Sequence, residues 1–257
     1  MLDFVLMENI LFLGTGDSGS SRNCSSYLLN ERILFDVGHG TVGALRQNGF
    51  DVEDISTIII SHFHIDHIGD LLFFLYRKAT RECTTPLTIV GSPGLENYLA
   101  KQYTLQTSVS ATKLVEMDFL KPSIDFVNII ELDYGQTINV DGTSLRAFEV
   151  DHGEDAQPTN TNGYITKLGN LKVGFSGDTK MCDKILSEIP NADTWLIDCS
   201  TGREKAKRHL NLTQVEEIAT KYQDKRFYCV HRKDWDDKPV EPNVFLPNDG
   251  DKILLEP

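Results

Sequence analysis

The chain has 257 residues, 40% of them hydrophobic, with 25 Lys plus Arg against 38 Asp plus Glu and a formal net charge of -13. That balance repels polyanions, so binding a large RNA would require a local basic patch, whereas a small substrate requires none. The five cysteines (Cys24, Cys83, Cys182, Cys199 and Cys229) are odd in number and lack CxxC spacing, which argues against a disulfide framework or a thiolate zinc site and for a reducing, cytoplasmic setting.

Taken from the start, Met1 to Met7 is mildly apolar but has neither a basic n-region nor a small-residue cleavage site. No later run approaches the ~20 apolar residues of a spanning helix, so no membrane association is expected. Apolar runs rich in β-branched residues predict strands at Asn9–Leu13, Ile33–Val37, Ile55–Ile60, Leu87–Val90 and Phe126–Leu132, then at Ser144–Val150, Leu171–Phe175, Trp195–Ile197 and Phe227–Val230. Between them lie helix-like stretches at Thr41–Gln47, His67–Arg77, Gly94–Tyr103, Lys180–Ile189 and Thr213–Tyr222. Gly169-Asn170 between Tyr164–Leu168 and Leu171–Phe175 reads as a hairpin turn. Thr104 to Asp125 has weak periodicity and carries no firm element.

Strands near both ends of the chain, each mixed with helices, predict two sheets covered by helices on their outer faces, an α/β sandwich in a single domain over residues 1–257. The one basic cluster, Arg203, Lys205, Lys207 and Arg208, reads as a solvated loop ahead of a helix.

Chemistry concentrates in Ser61-His62-Phe63-His64-Ile65-Asp66-His67. The strand before it sends His62 and His64 out two residues apart and to the same side, where one metal ion can be gripped by both. Asp66 and His67 follow in the turn and can offer an oxygen and a nitrogen to a second ion. Imidazole with carboxylate suits zinc, manganese or iron. Four such residues in six positions gain little from packing and repel when protonated unless a metal organises them. His152, Asp178 and His231 follow three further strands and complete a candidate ligand set; Asp178 also fits an N-cap of the next helix.

These residues resemble the metallo-β-lactamase fold superfamily, whose HxHxDH motif is matched by His62, His64, Asp66 and His67. Phe12-Leu13-Gly14-Thr15-Gly16, Leu34-Phe35-Asp36-Val37-Gly38-His39-Gly40-Thr41 and Thr85-Pro86-Leu87-Thr88-Ile89 are similar to early motifs of its ribonuclease Z branch. The resemblance implies a four-layer αββα sandwich with two divalent ions at one edge, zinc first among the candidates. It assigns His62, His64 and His152 to one ion, Asp66, His67 and His231 to the other, and Asp178 as the bridge. A bridging hydroxide would attack phosphorus. It also makes Asp66 and His209 the catalytic candidates, because His209 falls where this branch has a histidine that protonates the departing oxygen. Read alone, His209 fits a surface or capping histidine.

Asn211 and Cys199 depart from the branch, which has Thr and an acidic residue at those positions. Only 25 residues separate His152 from Asp178, where the bacterial tRNA enzymes carry a tRNA-gripping arm. The short interval, the Leu196-Ile197-Asp198-Cys199 segment and the acidic charge resemble small-substrate relatives such as the cyclic-phosphate phosphodiesterase of carbon-phosphorus lyase pathways. The expected function is therefore hydrolysis of a small or cyclic phosphodiester. A tRNA 3′-end endonuclease, a thioesterase or lactonase, and a di-iron oxidoreductase stay open as alternatives, the last without a flavin-binding domain. Homodimers are common among such relatives. Cys199 reads as a plain buried thiol, Asp36 as a residue that backs the ligands, and His39 is unassigned.

Overall fold

The computed structural model describes residues 8–81, 85–107, 127–153 and 161–255. Strand β1 (Asn9–Gly14) shows why the chain layers. Ile10 and Phe12 join the core between the sheets, Leu11 and Leu13 join the core beneath the helices, and all four are buried. A strand apolar on both faces needs cover on both.

One seven-stranded sheet runs in the order β14 (Lys252–Leu254), β1, β2 (Ser26–Leu29), β3 (Ile33–Phe35), β4 (Thr57–Ile59), β5 (Leu87–Gly91) and β6 (Val127–Glu131). Pairing is antiparallel from β14 to β3 and parallel from β3 to β6. The other sheet runs β13 (Val244–Phe245), β12 (Arg226–Val230), β11 (Thr194–Asp198), β10 (Leu171–Phe175), β9 (Asn162–Leu168), β8 (Thr143–Glu149) and β7 (Thr137–Val140). It is parallel from β13 to β10 and antiparallel from there to β7.

Aromatic rings bridge the two sheets. Tyr27 and Phe35 of the first meet Phe175 of the second at ring-centroid distances of 5.4 and 5.0 Å, both edge-on, the arrangement their quadrupoles favour. Outside the first sheet lie α1 (Thr41–Gln47), α2 (Ile65–Ile68), α3 (Leu71–Thr80) and α4 (Leu95–Thr107), burying Leu45, Phe74 and Leu95 against it. Outside the second lie α5 (Asp183–Glu188), a 3₁₀ turn (Ile189–Asn191) and α6 (Leu212–Lys221), with Ile185, Val215 and Ile218 inward. Each such aliphatic side chain contributes roughly 1.5–3 kcal/mol of burial. The layers are thus helix, sheet, sheet, helix, the αββα sandwich expected. Among the described residues no helix is long and apolar enough to cross a membrane.

All nine expected strands appear with ends within two residues of those predicted. Two helix expectations change. The stretch from His67 to Arg77 is broken, because the Asp70 amide donates to Val37 O (3.0 Å) rather than continuing the helical ladder. The helix expected at Lys180 begins at Asp183, since the Thr179 amide donates to Asp198 Oδ2 (2.9 Å) and the Lys180 amide to Asp151 O (2.8 Å). Cys182 is its N-cap, which removes the capping alternative for Asp178. Of Thr104 to Asp125, residues 104–107 extend α4 and the rest lies outside the described residues.

Candidate metal centre

Six of the seven histidines gather at the edge of the sandwich where β4, β8 and β12 end. From the first sheet, Ser61 fixes the departure of the chain. Its amide and hydroxyl both donate to Asp36 (2.8 Å each), and its carbonyl accepts the Asn162 amide of the second sheet (2.9 Å). The Tyr164 hydroxyl donates to Ile60 O at 2.9 Å. Pinned from both sheets, the chain delivers His62 into a fully buried position, with His64 ahead of α2 and Asp66 and His67 in its single turn. Gly38 permits this packing: a Cβ there would stand 2.2 Å from Asp66 O.

The second sheet supplies one residue per strand end. His152 follows β8 and points Nδ1 at Arg208 O (3.2 Å). Asp178 follows β10 through Gly177, whose φ is +56° and where a Cβ would stand 2.9 Å from Asn162 O. His231 follows β12 with φ 56°, as Asp36 follows β3 with φ 54°. Non-glycine residues held in this region carry strain of roughly 1–3 kcal/mol, which persists where the surroundings over-determine it.

The side-chain atoms converge in two groups around Asp178. His64 Nδ1 lies 2.9 Å from His62 Nε2 and 3.3 Å from His152 Nε2, while Asp178 Oδ2 is 3.7 and 3.6 Å from the same two Nε2 atoms. On the other side His231 Nε2 is 3.2 Å from Asp66 Oδ2 and 3.4 Å from Asp178 Oδ2, and His67 Nε2 is 3.2 Å from Asp178 Oδ1. Tetrahedral ligands at ~2.0–2.1 Å from zinc stand about 3.3 Å apart, so these spacings fit a shared ion. Among the described residues the buried atoms His67 Nε2 and Asp178 Oδ1, 3.2 Å apart, have no hydrogen-bond partner. The donor set, three imidazoles with a carboxylate beside two imidazoles with a carboxylate, therefore fits divalent metal.

Electrostatics follow from burial and crowding. Burial, then repulsion from His67, pushes the His62 imidazole well below its ordinary range. For Asp178 burial would raise the carboxyl, but His231 and His67 outweigh it and hold it well down; His231 and His67 do the same for Asp66. His67 is raised despite burial by Asp178 and by Asp36, whose Oδ2 is 2.7 Å from its Nδ1. This Asp36 contact fixes Nε2 as the atom turned to the cluster.

His209 lies beside the cluster, its side chain 21% exposed, edge-on to His152 (centroids 4.8 Å) and stacked on His231 (4.9 Å). Its Nδ1 is 2.9 Å from Asp198 Oδ2 and 3.9 Å from Asp178 Oδ2. Burial alone would depress it, yet Asp198 and then Asp178 carry it up to about 9. It is not a cap: Asn211 caps α6, accepting from the Gln214 amide (2.9 Å) while Gln214 returns to the Asn211 amide.

Two residues that sequence reasoning left without a role belong here. Asp198, fully buried, holds His209, and the Ser18 amide donates to Asp66 Oδ2 (3.2 Å). The signal for Asp198 was available, since it ends an apolar strand as Asp178 and His231 nearly do. His39 lies outside the cluster, 86% exposed and 3.4 Å from Asp70. Cys199 is buried in the outer core of the second sheet, where burial and Cys229 raise its thiol well up. In the basic cluster, Arg203 is committed to Glu216 (2.7 and 3.2 Å).

A four-layer αββα sandwich with this histidine and aspartate edge defines a metal-dependent hydrolase of the metallo-β-lactamase fold. The family model described as anti-Pycsar protein Apyc1 matches residues 8–245, and the chain belongs to that family. It is 24% identical to a ribonuclease Z of Pyrococcus horikoshii, over 97% of both chains. Among solved structures it resembles the short form of human tRNase Z (TM-score 0.72, 20% identity, 95% of this chain and 98% of that one). It also resembles a diphosphatase of the PhnP family (TM-score 0.73, 18% identity, 96% and 97%).

Proposed function

We propose that the chain acts as one domain to hydrolyse a small or cyclic phosphodiester. In this reading His62, His64 and His152 hold one divalent ion, Asp66, His67 and His231 a second, and Asp178 reaches both. When bound, such ions supply Lewis acidity for the phosphoryl oxygens and lower the pKa of water toward neutrality. The chain's own groups do the rest. Asp36 and Ser61 orient the first-sheet ligands, Ser18 holds Asp66 through its amide, and His209 gives a proton to the departing oxygen.

The observation that carries the reading is His209, an imidazole braced by a buried carboxylate directly beside the cluster. An alkoxide leaving phosphorus needs a proton, whereas a thiolate leaving an acyl carbon does not, so this arrangement favours an oxygen ester. The ribonuclease Z relatives point to phosphodiester chemistry as well. A small substrate is favoured because the 25 residues between His152 and Asp178 include the β9–β10 hairpin and leave little for an RNA-gripping arm. The net charge of -13 adds a cost for polyanions.

Zinc- or manganese-loaded protein given equimolar cyclic nucleotides, linear dinucleotides and a precursor tRNA should turn over the small diesters. Preferred cleavage of the precursor tRNA at its 3′ end, at low salt, would reverse the assignment.

A further inference from the structure

The outer face of the second sheet is covered unevenly. α5, the 3₁₀ turn and α6 pack with Ile165, Trp195 and Phe227, while the corner formed by β7, β8 and the β9–β10 hairpin holds a hollow of about 380 Å³. The strand plan lines it with cations. Leu145, Ala147, Tyr164, Leu168, Val173 and Phe175 turn into the core between the sheets, so alternation turns Ser144, Arg146, Lys167 and Lys172 outward. Arg146 stands opposite Thr137, and Lys167 directly opposite Lys172 across the hairpin. The pairing of Leu145 with Thr166 sets Ser144 beside Lys167, and all of these outward residues line the hollow together with Asn191 of the 3₁₀ turn.

Two lysines directly opposite each other on one face of a hairpin repel, and such pairs destabilise it. Among the described residues neither Nζ meets a carboxylate, because the acids nearby are engaged elsewhere. Glu188 accepts from Arg146 (Nη1 to Oε1, 3.1 Å) and from Asn191 (Nδ2 to Oε2, 2.9 Å), and Asp193 Oδ2 accepts the Lys172 amide (2.8 Å). Arg146 is thereby held in place with only part of its five N–H donors used. In a chain of net charge -13, this hollow gathers positive charge and hydroxyl donors on one concave surface.

We propose that this hollow is a binding site for a phosphate dianion, free or carried on a phosphomonoester, separate from the metal centre. Lys167 and Lys172 clasp the anion from the two strands of the hairpin as point charges, and the braced Arg146 fork and the Thr137 and Ser144 hydroxyls supply directed donors. A bound dianion replaces the repulsion between the lysines with attraction to both. The volume lies in the range of small-molecule sites, and Ile165 gives the hollow an apolar wall for the organic part of an ester. Lys172 stands at the start of β10 and Asp178 beyond its other end, roughly 15–20 Å away at ~3.3 Å per residue, so the site does not depend on what the metal edge hydrolyses.

Binding of inorganic phosphate, methyl phosphate and the dimethyl phosphate monoanion is measured by calorimetry on zinc-loaded and on chelated protein. The proteins are wild type, Lys167→Ala/Lys172→Ala, Lys167→Arg/Lys172→Arg and, as a control in the other basic stretch, Lys205→Ala/Lys207→Ala. Chelated wild type is expected to bind the two dianions at least about tenfold more tightly than the monoanion. The Ala pair should lose at least about tenfold in dianion affinity, the usual scale for hydrogen bonds to a charged group. The Arg pair should stay within a few-fold of wild type, and the control should match it. Methyl phosphate binding as tightly as phosphate identifies an ester as the ligand; preference for inorganic phosphate identifies the free ion. Without anion the Ala pair should melt no lower than wild type, because the repulsion is relieved, and added phosphate should raise the melting temperature of wild type but not of the Ala pair.

Equal dianion affinity in wild type and the Ala pair, with and without zinc, overturns the inference. Phosphate binding that disappears altogether on chelation belongs to the metal centre and overturns it too. So does a precursor RNA whose retention needs Lys167 and Lys172 while the small dianions are ignored, since the hollow is then a contact for a macromolecule.

Discussion

The two halves of the sandwich share one strand plan, three antiparallel pairings passing into three parallel ones, yet they supply the site in different ways. The first half delivers His62, His64, Asp66 and His67 from a single turn after β4. The second delivers His152, Asp178, Asp198 and His231 one at a time, each from a different strand end. Adjacency in the chain builds the first group. Strand register builds the second: β10, β11 and β12 pair in parallel with Val173 opposite Thr194 and Thr194 opposite Arg226, which brings Asp178, Asp198 and His231 out at one level. A local motif can therefore be in place while the site is still half-made, and the remote half decides whether it works.

The largest effect should come from the residue that joins the halves. Asp178→Ala is expected to strip metal from both proposed sites, with a rate loss well beyond the ~10²-fold that removal of an outer partner costs. Metal analysis showing two tightly held ions in that variant would break the bridging assignment. Next comes a change confined to the first half. Asp36→Asn removes the charge facing His67 Nδ1 at 2.7 Å, and should weaken binding on the His67 side by roughly 10- to 100-fold while sparing the His62, His64 and His152 side. Equal weakening of both ions, read by competition with a chelating dye, would mean the halves are not separable.

A smaller effect concerns pH and the metal-free protein. His209 is carried up to about 9, and His67 and His231 are also raised. A raised folded-state pKa gives stability that is complete below the unfolded value of ~6.5 and is lost as pH climbs through the folded value. Asp66 and Asp178 are lowered, so their contribution is present above ~3.9 and fades in acid. His62, His64 and His152 are lowered and oppose this below ~6.5, so the effect specific to the raised histidines is a fall in the melting temperature of chelated protein from about pH 7 toward pH 9. Metal binding needs unprotonated imidazoles, so the gain in melting temperature on adding zinc should grow over the same window. A gain that shrinks with rising pH would contradict the charge pattern of the cluster.

The same contrast explains what was legible in the sequence. His62 to His67 stood out because ligand-type residues were adjacent, and His152, Asp178 and His231 because each follows a strong apolar strand. Asp198 ends an equally apolar strand, but its partner, His209 at 2.9 Å, is eleven residues away in the chain and is supplied by the fold. Four strands were not foreseen: β2, β7, β13 and β14 are two to four residues long, and β14 pairs with β1 from the opposite end of the chain, where no local pattern can announce it. The break between α2 and α3 likewise depends on a tertiary bond, Asp70 to Val37, that periodicity does not encode. Asn211, a departure from the ribonuclease Z pattern, is explained by its capping box on α6.

The most direct test of the central claim, that this edge is a metal-dependent phosphodiester centre, is turnover of bis(p-nitrophenyl) phosphate beside a thioester and a lactone, before chelation, after it, and after zinc or manganese is returned. The account predicts preferred diester cleavage that vanishes on chelation and comes back with metal. Clear thioester or lactone cleavage with an untouched diester would contradict it and place the chemistry at an acyl carbon.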